Sequence, residues 1–391
     1  MNKIKLLLLI FGLLNISVSI AQTAEPTGTI EIRAKAENLT GMANSGSEGI
    51  VSGLRIAALP ILRPGEIMEM VPGLIVTQHA GDGKANQYFL RGFNLDHGTD
   101  FATYVNGVPA NMPTHAHGQG YTDLNFLIPE LVDLIAYKKG TYSAMDGDFS
   151  AAGSARLEYR KSLDGHLAEV TAGANGYKRL LLAGSPKRQD GQWLYGLEVF
   201  KNDGPWLVPE NYQKLNGVLS YSDGTRLNGY SVTGMLYKSS WISTDQVPLR
   251  AINQGLIGRF GSLDPTTGGE THRYSVSSQW AQTGKDRQTK ANFWALDSAL
   301  DLWSNFEYCT GSIEKTGNCA AGDQFKQAEK RKAFGFGLSE ARYHQLSLLN
   351  SKYESAFTFG VDGRSDHIFP VGLYKTTRRA VTETVREDAV T

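Results

Sequence analysis

The chain has 391 residues, and 39 Lys and Arg are balanced by 39 Asp and Glu, so no net field draws it toward nucleic acid. Its 43 glycines exceed the usual ~7% share and 10% of its residues are aromatic, a composition that suggests many turns and strands. Cys309 and Cys319 are the only cysteines, too few for a disulfide-dense scaffold or a four-ligand structural zinc site.

Residues 1–21 open with Lys3 and Lys5, run through an apolar stretch over 6–14 and close on Ser19-Ile20-Ala21. That pattern is a cleavable secretory signal, with cleavage expected before Gln22; the apolar run is short of the ~20 residues a spanning helix needs. No later stretch has such an apolar run, so the mature chain is expected to be either soluble outside the cytoplasm or a membrane barrel. Residues 22–53, rich in Thr, Ala, Ser, Glu and Gly, read as a flexible arm with one β-prone piece, Thr29-Ile30-Glu31-Ile32-Arg33. Residues 54–160, short apolar segments punctuated by Pro60, Pro64, Pro72-Gly73, Gly92, Asn106-Gly107 and Gly140, predict a compact α+β domain.

From about Leu163 the period becomes two. Trp193, Tyr195, Leu197 and Val199 alternate with Leu194, Gly196, Glu198 and Phe200, and Tyr274, Val276, Ser278 and Trp280 with Ser275, Ser277 and Gln279. Phe357, Phe359 and Val361 alternate with Thr358, Gly360 and Asp362, so each segment is a strand with one apolar and one wetter face. A sandwich would alternate in the same way. Connection lengths arbitrate: tight at Asp190-Gly191, Asp223-Gly224 and 284–287, long at 202–212, 239–270 and 305–330, which is the short-turn, long-loop asymmetry of outer-membrane barrels. Trp193, Tyr195, Tyr221, Tyr237, Trp280 and Trp303 fall near expected strand ends, where such rings form interfacial girdles.

Pro72-Gly73-Leu74, Leu90-Arg91-Gly92-Phe93, Val105-Asn106-Gly107-Val108-Pro109 and the stretch 135–140 followed by Tyr142 and Ala151-Ala152-Gly153 resemble, in order and spacing, the plug of a TonB-dependent outer-membrane receptor. The resemblance implies an all-β transmembrane β-barrel in the cell outer membrane with an N-terminal α+β plug domain, divided as 1–21 signal, 22–53 arm, 54–160 plug and 163–391 barrel. It implies no enzyme and no cofactor. It also implies import of a scarce ligand, a ferric siderophore or other metal complex, with outer-membrane lipid and a TonB-type periplasmic energy-transducing protein as partners. Thr29, Ile30, Glu31, Ile32, Arg33 and Ala34 sit where the family carries its energy-coupling box, an extended peptide that adds to a sheet edge of that partner. Arg91 is implied to pair with barrel-wall carboxylates, a buried pair whose breakage costs roughly 3–5 kcal/mol; Lys138 and Lys139 read as similar or as solvated.

Asn106 and Gly140-Thr141 depart mildly from the family's Asp and Gly-Pro, leaving the turn chemistry intact. Length departs more: about ten strands are expected after Leu163, against the 22 of the family's barrel, and Asp388-Ala389-Val390-Thr391 lacks the family's terminal aromatic. The expectation is a truncated or split reading frame, with a non-transporting remnant and a periplasmic plug-only binding module as rival readings.

His79, His97, His115 and His117 crowd one window. His115-Ala116-His117 on an extended chain puts two imidazoles on one side, a geometry able to chelate a transition metal, with Asp96 and Asp100 as oxygen donors; the bland alternative is polar residues solvating plug loops, and no metal ligand is assigned. Asp146-Gly147-Asp148 reads as a glycine turn rather than a hydrolytic pair, and no G-x-S-x-G elbow is present. Cys309 and Cys319 are expected to close a loop disulfide in an oxidising envelope, and Trp206 and Trp241 are candidates for stacking on a ligand from two long loops.

Overall fold

The computed structural model describes residues 46–78, 80–186, 191–307, 309, 323–348 and 351–391. The first domain has eight strands: β1 (Glu48–Ser52), β2 (Leu74–Thr77), β3 (Gln87–Leu90), β4 (Phe93–Asn94), β5 (Phe101–Val105), β6 (Val108–Pro109), β7 (Val132–Lys138) and β8 (Gly153–Tyr159). A five-stranded sheet runs in the order β1-β7-β8-β5-β6, with β5 and β8 parallel, and a small sheet holds β2-β3-β4. The short helix α1 (Gly53–Ala57) follows β1 directly. Strand β1 thus lies inside the segment read from sequence as arm: Glu48 to Ser52 pair with Lys138 to Leu134 of β7, which satisfies their backbone groups and draws ordered structure back to residue 48.

Ile67, Val71, Val105, Leu127, Ile128, Leu131, Ile135 and Leu157 form the dry centre of this domain. The Asn106-Gly107 turn between β5 and β6 needs both residues at positive φ, 45° and 76°, a conformation that Asn and Gly tolerate best. The Asn106 carboxamide then accepts from Tyr159 N–H at 2.8 Å, tying the turn to β8.

The second part is one antiparallel sheet of ten strands in sequential order, β9 to β18, with β9 and β18 at its edges. Its strands are β9 (Leu167–Ala172), β10 (Lys178–Gly184), β11 (Gln192–Asn202), β12 (Tyr212–Gly224), β13 (Gly229–Ile242), β14 (Gly268–Thr283), β15 (Arg287–Ser304), β16 (Phe325–Leu348), β17 (Ser351–Thr377) and β18 (Ala380–Val390). The faces decide between sandwich and barrel. Leu197, Val199, Leu215, Leu219, Val232, Leu236, Val276, Phe293, Phe336 and Leu338 are exposed on the outer face, while Asn216, Ser220, Thr233, Ser277, Glu329 and Arg331 are buried on the inner one. Apolar out and polar in inverts a soluble sandwich and matches a sheet whose outer solvent is lipid. Among the described residues no helix is long and apolar enough to cross a membrane.

Trp193 and Tyr221 are register partners with rings 5.0 Å apart, Tyr230 lies 6.0 Å from Tyr221, and Trp280 pairs with Tyr230. These rings form one aromatic row near the tight-turn rim, as the girdle reading requires. Tyr237 and Trp303 do not join it. Tyr237, register partner of Arg273, points to the lumen and is buried, whereas Trp303 has the outward parity of Phe293 and is buried under the Arg379 guanidinium and the Lys326 ammonium. The connections at 203–211, 243–267 and 305–324 are long and those at 225–228 and 284–286 short, but Arg378-Arg379 joins β17 to β18 in two residues on the long-loop side, so the asymmetry stops at β17.

Candidate plug-wall and vestibule site

The connection from β2 to β3 forms the apex of the first domain and is clamped by the long loops of the sheet. Gly81 N–H donates to Ser243 Oγ at 2.8 Å, Asp82 N–H to Glu210 Oε2 at 3.2 Å, and Asn202 Nδ2 to Asp82 Oδ2 at 2.7 Å. Glycine is required here by close approach: a Cβ on Gly81 would collide with the Glu210 carboxylate, and one on Gly83, at φ 91°, with the Trp241 ring. Trp206 Nε1–H also donates to Glu210. Burial, and then the Asp82 carboxylate, push the Glu210 carboxyl up to about 7. Next to this clamp Lys84 is buried beneath the Phe306 ring, and burial lowers its ammonium pKa against the pull of Asp245.

Three of the four window histidines do converge, around Tyr121. His115 stacks on it at 4.3 Å, His117 meets it edge-on at 5.5 Å, and His97 lies 4.6 Å from His117; His79 lies outside the described residues. The Nδ1 atom of each, however, is engaged within the protein. His97 Nδ1 faces the Ala85 and Asn86 carbonyls at 3.0 and 3.1 Å, so that nitrogen carries the proton. His115 Nδ1 accepts from His117 N–H at 3.1 Å, and His117 Nδ1 donates to Gln327 Oε1 at 2.7 Å. Among the described residues no group of three or more His, Cys, Asp or Glu is arranged to hold a metal ion. The chelating geometry considered for His115 and His117 thus meets no third donor of that kind among the described residues. Alternation along an extended chain does put both rings on one side, but the fold spends that side on Tyr121 and the wall. The His115 side chain is only 4% exposed, and burial followed by the Arg331 charge holds its pKa well below the usual imidazole value.

The wall contributes a row of guanidiniums that sequence reasoning missed. Arg273 Nη2 donates to Pro109 O at 3.2 Å, Arg331 Nη2 to Pro113 O, and Arg364 Nη1 to Asn111 O at 3.1 Å. The carbonyls of 109–113 thus lie along β14, β16 and β17. Glu329 and Asp366 keep Arg331 company at 2.8 Å and through Nη1, and Arg364 forks onto Asp366 at 2.6 and 2.9 Å. The legible signal is opposite charge at i and i+2, Glu329/Arg331 and Arg364/Asp366, on lumen-facing positions of a strand.

On the other flank Arg179 of β10 forks onto Glu130 at 2.7 and 3.0 Å and reaches Glu198 at 2.7 Å, while Lys214 holds Glu198 from β12 at 3.0 Å. Asn216 Nδ2 donates to Asn125 O at 3.0 Å, and Arg226 pairs with Asp133 at 2.6 Å. Arg91 has no part in this. It is exposed at φ 53° and donates to Ser47 Oγ and Lys139 O within its own domain. The expected polarity is reversed: the wall supplies the arginines, and the first domain supplies carboxylates and carbonyls. Lys138 pairs with the buried Asp146 at 3.1 Å, beside Arg156, and Asp146-Gly147 is the glycine turn expected, with Gly147 at φ 65°.

Trp206 stands half-buried against Phe260 at 6.3 Å. Trp241 is not a loop residue: it ends β13, is 3% exposed and covers Gly83 and Gly269, so it belongs to the clamp rather than to an open stacking surface. Cys309 is disulfide-bonded, while Cys319 and the segment Thr29 to Ala34 lie outside the described residues.

Residues 41–154 match the family model of the TonB-dependent Receptor Plug Domain. In fold the chain is similar to the copper transporter OprC (TM-score 0.61, 14% identity), covering 89% of this chain and 50% of that one. It is similar also to the ferric citrate transporter FecA in its unliganded form (0.64, 12%, 92% and 53%), and to the pyoverdine receptor FpvA of Pseudomonas aeruginosa PAO1 (0.61, 14%, 88% and 51%). The chain spans about half the length of these solved structures.

Proposed function

Because the chain carries the plug domain of TonB-dependent receptors ahead of an outer-membrane barrel sheet, we propose that it acts in a plugged receptor that takes up a scarce ligand and is energised from the periplasm. One observation carries the reading: a globular domain is fastened to the lumen face by the Arg179–Glu130 fork and by Arg273, Arg331 and Arg364 on its carbonyls. A lumen closed in this way passes nothing until those charge-assisted bonds, each worth roughly 1.5–3 kcal/mol, are given up together. Ligand affinity in the common micromolar to nanomolar range, roughly 8–12 kcal/mol, is consumed in binding, so an outside source of work is needed. Thr29 to Ala34 is the segment by which a TonB-type periplasmic protein would pull, by strand addition.

The cargo in this reading is a metal complex, a ferric siderophore or similar, that arrives with its own ligands. The internal hydrogen bonds of His97, His115 and His117 favour recognition of a finished complex over chelation of a bare ion. No bond is made or broken in the cargo. Ile30→Pro removes a backbone donor that strand addition uses, so it should abolish accumulation of metal supplied as its complex in cells carrying the receptor, with surface binding of that complex kept. Undiminished uptake by Ile30→Pro would refute the coupling role, and equal metal accumulation with and without the gene would refute the transport reading.

A further inference from the structure

We propose that an interior cavity between plug and wall, lined by Arg273 of β14, is a binding site for a small inorganic anion of halide size. The cavity measures about 40 Å³ and is walled by Met112, His115, Tyr121 and Asp123 of the plug and by Tyr237, Arg273 and Glu329 of the sheet. That space accepts one halide or a few waters and is too small for a siderophore.

The guanidinium makes the demand. Arg273 is 7% exposed, its plane lies over the Phe126 ring with the central carbon 4.8 Å from the centroid, and Nη2 is occupied by Pro109 O. Among the described residues Nε and Nη1 meet no hydrogen-bond acceptor. A charged donor left unmet in an interior is costly, so an acceptor belongs there. The nearby carboxylates are already committed. Glu329 accepts from Arg331 Nε and Ala116 N–H, and Asp366 from Arg331 and Arg364. Asp123 accepts from Asn125 N–H at 2.8 Å and acts on Arg273 by charge without accepting from its Nε or Nη1.

Other polar groups of the lining can join Arg273 in donating to an anion. The Tyr121 hydroxyl accepts from Ala85 N–H and keeps its own proton to give. His115 accepts at Nδ1, which leaves its proton on Nε2. Thr271 Oγ1, also in the lining, donates to Ala299 O. Beside the Asp123 and Glu329 carboxylates the lining thus offers donors from Arg273, Tyr121 and His115, and a halide, which only accepts, can take several of them at once. Arg331 and Arg364 add two guanidiniums within electrostatic reach.

Protonation of the plug should modulate the site. Asp123 faces Asn125, Tyr88 and Tyr121 of the plug and Tyr212, Tyr237 and Arg273 of the wall, and burial lifts its carboxyl to about 6. Taking up that proton removes a neighbouring negative charge, so the anion should bind more tightly as pH falls. Between pH 7.5 and 5.5 the gain is up to roughly 20-fold, the ratio of protonated Asp123 at the two pH values.

The test is bromide, located by its anomalous scattering in crystals of the purified full chain grown at pH 5.5 in sodium bromide. The expected result is a peak in hydrogen-bond range of Arg273 Nε or Nη1, with lower occupancy at pH 7.5 and none in Arg273→Met. A non-anomalous water at that position, bromide peaks elsewhere only, or the same peak retained in Arg273→Met would each overturn the proposal. The wild-type crystals decide the matter even where the variant does not fold. Neither outcome bears on uptake, so the receptor reading stands or falls separately.

Discussion

The Glu210 clamp should make the hold on the plug apex depend on pH. Its carboxylate accepts from Asp82 N–H and Trp206 Nε1–H in a buried loop site facing Asp82 and Arg63. With the apex clamped the carboxyl sits at about 7 against an ordinary 4.5; released, it returns to solvent and to the ordinary value. The clamped state therefore binds more protons between those two values, and clamping weakens as pH rises through that window, with the loss complete above about 7. From pH 6 to pH 8 the equilibrium should fall about tenfold, or roughly 1.4 kcal/mol. Hydrogen exchange of the Gly81 and Asp82 amides, corrected for the intrinsic pH dependence of exchange, reads this directly, and protection should be about tenfold greater at pH 6. Glu210→Gln keeps an acceptor but not the proton, and should flatten the dependence. Equal corrected protection at both pH values in the parent, or an undiminished pH effect in Glu210→Gln, would refute the reasoning.

Two further outcomes concern plug docking. Arg179→Ala strands Glu198, 2% exposed, with Lys214 as its remaining cation and frees Glu130; it should cost roughly 3–5 kcal/mol, whereas Glu130→Ala leaves Arg179 on Glu198 and Glu169 and should cost about 1–2 kcal/mol. Denaturant unfolding of the purified protein in detergent checks the order, and equal losses would break the assignment. His115→Ala removes a nearly buried ring stacked on Tyr121 and the acceptor of His117 N–H, so it should lower stability by about 1–3 kcal/mol instead of leaving the plug untouched. Because the folded His115 pKa is depressed, the unfolded chain binds the extra proton, and stability should fall as pH drops below about 6.5. A melting curve of His115→Ala that retains the full parental slope there would count against that sign.

The parts of this protein that local chemistry dictates were legible from its residues alone. Period-two alternation such as Trp193/Tyr195/Leu197/Val199 needs only the pleat of a strand to send alternate side chains to opposite faces, and turn pairs such as Asn106-Gly107 need only their own φ preferences. Four short motifs in order were enough to reveal the plug, because each one is a turn or strand start whose geometry is local.

What faces what was decided only in three dimensions. Alternation says that Tyr237 shares a face with Thr233 and Met235, but only the register of fourteen pairs between β13 and β14, which sets it beside Arg273, determines that this face is the lumen. The family resemblance cast Arg91 as the plug's cation toward the wall, yet its partners are Ser47 Oγ and Lys139 O. The arginines at the interface lie up to 253 residues from the carbonyls they hold, as Arg364 does from Asn111. The histidines illustrate the same division: their spacing put His115 and His117 on one side of the chain, and only the approach of Gln327 and Glu329 from the wall determined what that side meets. A side chain's rotamer and partner depend on which distant backbone closes over it, and the packing of the curved sheet against the plug sets that by the sum of many registers, none of which is encoded near the residue it orients.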